Sequence, residues 1–112
     1  MVNYNQTKVY RIFPTIPHDT ADVYIGSTTK RYLCDRMAHH VWSYKNRESR
    51  KEQSTTAWKI FDRYGVENCK IELIEACVCQ TADDKTEREA YYIMTTPCVN
   101  RNMPGRRISR KS

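Results

Sequence analysis

The chain has 112 residues, 39% of them hydrophobic and 11% aromatic, a length and apolar mass suited to one domain with a single modest core. No apolar run is long enough to span a membrane, and the opening MVNYNQTKVYRI lacks the apolar stretch of a signal peptide, so an intracellular protein is expected. Nineteen Lys and Arg against thirteen Asp and Glu leave a net charge of +6, concentrated in KNRESRKE (45–52) and GRRISRK (105–111); such clusters attract polyanions, nucleic acid above all, although a solvated basic surface carries the same charge.

In chain order, KVYRIF (8–13) is β-branched and aromatic and predicts a strand. PTIPHDTA (14–21), with two prolines, predicts a loop, and DVYIG (22–26) a second strand paired to the first as a hairpin. A polar turn, Ser27-Thr28-Thr29, leads to a helix whose apolar stripe is Leu33, Met37, Val41 and Tyr44. After the basic loop, Ala57, Ile60, Phe61 and Tyr64 predict a second helix with Gly65 as its stop. NCKIELIEACV (68–78) contains a third strand. Thr81 to Asp84 opens a third helix in capping-box style, which runs to about Met94 before Pro97. The order β-β-α-α-β-α predicts an α+β domain built on a small three-stranded antiparallel sheet, spanning residues 1–104 and followed by a basic tail at 105–112.

Five cysteines, an odd number without a secretory signal, argue against a disulfide framework. Cys77-Val78-Cys79 with Cys98 offers three thiols, but zinc sites favour a wider spacing and four ligands, so small buried thiols are the expectation.

Several residues are not explained by packing. Arg36 and His40, one helical turn apart, lie on the shoulder of the first helix's apolar stripe, while His39 and Trp42 point further away. A cation at the edge of a buried stripe must be satisfied, or must extend to solvent. Glu89 falls one turn before Ile93 on the inward face of the third helix, where a carboxylate calls for a cation or a metal; a salt bridge to Arg36 would suffice. Tyr10 and Tyr24 fall on neighbouring strands, the ordinary setting of cross-strand packing.

Taken as an ordered set, Tyr10 in KVYRI, Tyr24-Ile25-Gly26, Arg36 with His40 four residues on, Glu89 in EREAYYI and Asn100 in PCVN resemble the GIY-YIG nuclease superfamily over residues 8 to about 104. Lys8 stands where the family's first motif has glycine, and Asn102 is a rival to Asn100. The compact chain is similar to stand-alone members from viruses, phages and mobile elements.

The resemblance implies a DNA endonuclease, a phosphodiester hydrolase in which Glu89 holds one Mg²⁺ (or Mn²⁺) with waters completing the shell. It further implies that Arg36 clamps the phosphate and that Tyr10 or Tyr24 activates the water, helped by His40. A tyrosine of ordinary pKa about 10 would need nearby positive charge to act as a base. Gly26 would let backbone approach the phosphate, Ser27 and Lys30 would supply donors, and Asn100 would anchor the C-terminal segment or touch the phosphate. Arg106 and Arg107, with Lys45, Arg47, Arg50, Lys51, Arg110 and Lys111, would grip DNA without reading bases, and Trp42 would stack on an unpaired base or be a partly covered surface aromatic. Specificity is then expected to be low or supplied by an accessory protein. The rival reading is a non-catalytic nucleic-acid-binding module on the same fold. A third is a protein-interaction domain, which alone predicts binding insensitive to salt.

Overall fold

In the computed structural model, which describes residues 3–46 and 56–102, the strand Thr7–Pro14 (β1) runs through the centre of the molecule. Its buried residues alternate between two layers because successive side chains leave a strand on opposite faces. Antiparallel neighbours flank it, Tyr24–Thr28 (β2) on one side and Cys69–Cys77 (β3) on the other, giving the sheet order β2-β1-β3. Three α-helices among the described residues complete the fold: α1 (Leu33–Lys45), α2 (Ala57–Tyr64) and α3 (Ala82–Thr95). The architecture is α+β, with helices on both faces of a three-stranded antiparallel sheet.

Tyr10 and Ile12 point to one face, where they join Ala57, Trp58, Ile60 and Phe61 of α2 and the α1 stripe Leu33, Met37, Val41 and Tyr44. Val9 points to the other, with Val23, Ile25, Ile93 of α3, Cys77, Cys79 and Cys98. A β-bulge assists this division. Val9 faces Glu75 while Tyr10 faces Leu73, so Ile74 is the extra residue on β3 and the strand bends there.

Strand β2 is longer than the sequence predicts at its C-terminal end. Ser27 and Thr28, expected in a turn, are buried and pair with Val9 and Lys8. The turn proper is Thr29 to Tyr32. Lys8 straps it down: its ammonium donates to the carbonyls of Gln6 (3.1 Å) and Lys30 (3.0 Å).

The outer edge of β2 is closed by the segment after α3. Asn100, 3% exposed, accepts from the Ile25 amide (2.9 Å) and donates to the Ile25 carbonyl (2.8 Å), and the Val99 amide donates to the Val23 carbonyl (2.8 Å). A side-chain amide thus substitutes for a fourth strand at a ladder edge that would otherwise be open. The predicted helix signals hold locally. Gly65 ends α2 with φ of 88°, and the Thr81 hydroxyl accepts from the Asp84 amide to start α3.

Cys34 is exposed and the other four cysteines are buried free thiols. No helix among the described residues is long and apolar enough to cross a membrane. Arg47, Arg50, Lys51 and the tail with Arg106, Arg107, Arg110 and Lys111 lie outside the described residues.

Asn100→Ala should leave the Ile25 amide and carbonyl buried without partners, lowering the unfolding free energy by about 2–4 kcal/mol in urea titrations. Asn100→Asp should recover little of this, because a carboxylate oxygen would then face the Ile25 carbonyl.

Candidate functional site

The site begins with a side chain lying across the sheet. Tyr10 stands opposite Gly26 in the β1–β2 ladder, and a Cβ added at Gly26 would fall 2.5 Å from the Tyr10 hydroxyl oxygen and 2.9 Å from the Tyr24 ring. Only glycine leaves room for Tyr10 to lie flat over β2. Tyr24 pairs with Ile12, so the tyrosines are diagonal neighbours rather than a direct cross-strand pair, with ring centroids 6.3 Å apart.

Helix α1 closes over this pair. Its two polar shoulder residues, spaced one turn apart, meet the same oxygen: His40 Nε2 lies 2.8 Å from the Tyr10 hydroxyl, and Arg36 Nε donates to it at 3.1 Å. The His40 ring also sits edge-on to Tyr24, with centroids 5.6 Å apart. His40 is the one buried residue of α1, 4% exposed, although the stripe passes beside it. Helix position alone placed it on the shoulder; the Tyr10 hydroxyl draws it inward.

Electrostatics follow from burial. Burial pushes the Tyr10 hydroxyl above its ordinary pKa, outweighing the Arg36 charge and hydrogen bond that act the other way, while the Glu89 charge adds to the rise. The expectation that neighbouring positive charge would lower this tyrosine and make it a base is therefore reversed. Burial, then the Arg36 charge, lowers His40 to about 3, so the imidazole is neutral at physiological pH. Arg36 can only donate, so the Tyr10 oxygen accepts there, while a second hydrogen bond joins the same hydroxyl to His40 Nε2.

The terminal nitrogens of Arg36 have no hydrogen-bond partner among the described residues, and its side chain is half-buried. The guanidinium is thus oriented by its Nε while its planar fork remains open.

Glu89 does not pair with Arg36. Its Oε1 accepts from the Ser27 hydroxyl at 2.5 Å. Ser27 stands opposite Val9, so this bond lies toward the α3 face, one residue along from Gly26 and across the sheet from the Tyr10 side. Among the described residues, no three His, Cys, Asp or Glu side chains form a group that could hold a metal ion. The residues do not fit Mg²⁺ or Mn²⁺ with Glu89 as ligand. That finding overturns the expected metal-dependent DNA endonuclease, with its metal-binding glutamate and hydrolysis of a phosphodiester.

The remaining expected site residues divide. Gly26 is buried beneath Tyr10, and its role is to make room for that ring; the Ser27 hydroxyl is engaged by Glu89; Asn100 is engaged by Ile25. Lys30 is exposed at the turn before α1. Arg88, next to Glu89 on α3, donates to Glu75 (2.5 Å), which also accepts from the Tyr92 hydroxyl, and its guanidinium lies 5.0 Å from the Tyr91 ring centroid. Sequence reasoning missed the Lys8 strap and the Ser27–Glu89 bond. The residue types gave no signal of either, since both depend on which residues face each other across the sheet and the helix layer.

Comparison of the chain with family models, with curated proteins and with solved structures returns no match.

Unfolded, His40 protonates near pH 6.5 and, folded, near 3, so the unfolded chain binds the extra proton between those values. This contribution to stability is complete above about pH 6.5 and is lost as pH falls toward 3, at no more than about 1.4 kcal/mol per pH unit. His40→Gln should remove that slope from the pH dependence of urea unfolding; an unchanged slope would show that His40 is not the buried neutral group. Gly26→Ala should cost about 1–3 kcal/mol in the same assay, from overpacking against Tyr10.

Proposed function

We propose that the protein is a non-catalytic nucleic-acid-binding module, on a fold similar to that of GIY-YIG domains, whose phosphate-gripping group is Arg36. The observation that carries this reading is the guanidinium of Arg36, held through Nε on a buried tyrosine hydroxyl with both terminal nitrogens unpartnered among the described residues. An arginine serving only the core would direct its fork at a carboxylate. An arginine that merely reaches solvent would not be oriented by a hydroxyl that is itself 0% exposed.

A fork fixed in this way matches two oxygens of a phosphate, which a lysine ammonium meets only as a point charge. The rest of the chain supports the same reading. Net charge of +6 supplies attraction that does not depend on base sequence, and Lys30 and Arg31 lie exposed just before α1. Tyr10 and His40 act on the ligand only through Arg36, as positioning residues. Glu89 is an internal acceptor for Ser27 and takes no part in the grip.

Binding to fluorescent duplex, branched and single-stranded DNA and RNA, titrated with salt, tests the proposal. The wild-type protein should bind at least one of them with an affinity that falls steeply as salt rises, without cleaving it. Arg36→Ala should weaken binding about tenfold and lower the salt slope by about 0.7–0.9, one phosphate contact. Arg36→Lys should recover only part. Absence of binding, or binding indifferent to salt, would overturn the proposal in favour of a protein-interaction domain.

A further inference from the structure

Tyr32 is an aromatic residue that folding leaves more than half exposed. It is 55% exposed and occupies the N-cap of α1, a position that favours Ser, Thr, Asp or Asn, and its side chain makes no capping bond. The other aromatics have partners. Tyr44 donates to Asp62, Tyr64 to Asp22 and Tyr92 to Glu75, while Tyr91 packs on Tyr92 beneath Arg88. The Arg31 guanidinium lies beside the Tyr32 ring, its carbon 5.5 Å from the ring centroid. That is within the reach of a cation–π contact.

The segment carrying this pair is held in place. Lys8 donates to the Lys30 carbonyl at 3.0 Å, the Lys30 amide donates to the Thr28 hydroxyl at 3.1 Å, and the Asp35 amide donates to the Tyr32 carbonyl at 3.2 Å. Tyr32 also lies one helical turn before Arg36. An exposed aromatic residue, backed by a cation and presented on a pinned turn next to a phosphate-gripping arginine, has the chemistry of a base-stacking platform. Base–aromatic stacking tolerates any base but needs a base whose face is free, which a continuous duplex does not offer.

Resting on the reading of Arg36 given above, we propose that the ligand is single-stranded nucleic acid, or a strand with unpaired bases, and that Tyr32 and Arg31 stack one base while Arg36 holds a neighbouring phosphate. Because the turn is already ordered, little conformational entropy is lost when the base docks. Trp42, for which the sequence left open either stacking or a partly covered surface position, is 50% exposed; Tyr32 is nearer in sequence to Arg36 and lies beside Arg31.

The test compares wild type with Tyr32→Ala, Tyr32→Phe and Tyr32→Trp. The probes are labelled dT and rU oligonucleotides, a dT strand with abasic positions, and a duplex of equal length. Wild type should prefer a single strand to the duplex, and Tyr32→Ala should reduce that preference about 5- to 100-fold. Tyr32→Phe and Tyr32→Trp, which keep a stacking face, should retain it, and the abasic strand should bind as weakly to wild type as dT binds to Tyr32→Ala. Equal loss on single strand and duplex, or no loss on either, would overturn the stacking role while leaving Arg36 as a phosphate site. Failure of wild type to bind any probe in a salt-dependent way would instead remove the underlying reading, and this inference with it.

Discussion

One buried oxygen organises this molecule. The hydroxyl of Tyr10, carried by the central strand, lies across Gly26 and receives both His40 and Arg36 from α1. A buried hydroxyl left unpaired would be costly, and so would a buried imidazolium. Both costs are avoided together when the phenol shares a hydrogen bond with a neutral imidazole and accepts from a guanidinium. The arrangement sets the distance of α1 from the sheet, makes His40 the most buried residue of its helix and points Arg36 in one direction. Glycine at 26 is the condition for all of it.

The same geometry separates Arg36 from Glu89. Alternation along β2 turns Gly26 toward the Tyr10 side and Ser27 toward α3, and Glu89 follows Ser27. The carboxylate is near enough for its charge to act on Tyr10, yet among the described residues it belongs to no group of three His, Cys, Asp or Glu side chains that could hold a metal ion. Burial meanwhile drives Tyr10 away from the ionised form a base would need. What remains of the ordered residue set is an oriented cation, the group on which the proposed phosphate grip rests.

Much of the framework was legible in the sequence because its signals are local. The β-branched run of β1, the periodic stripes of α1 and α2, the left-handed Gly65 and the Thr81 cap each act within a few residues of themselves. The ordered set Tyr10, Tyr24-Ile25-Gly26, Arg36, His40 also drew attention to residues that do meet. What could not be read depends on pairing between distant segments. Ser27 and Thr28 look like turn residues until register buries them against Val9 and Lys8. Glu89 looks like a ligand until Ser27 occupies it, and Asn100 engages Ile25 across 75 positions of chain. The sign of the Tyr10 shift needed burial weighed against charge, and the sequence displays only the charge.

The claim on which the account depends is that Arg36 grips phosphate because Tyr10 orients it. A double-mutant cycle between Tyr10→Phe and Arg36→Ala, read on nucleic-acid affinity, tests this most directly. Strong coupling is expected: Tyr10→Phe weakens binding in the presence of Arg36 and has little further effect once Arg36 is gone. Additive losses, or a Tyr10→Phe protein that binds as wild type does, would contradict it.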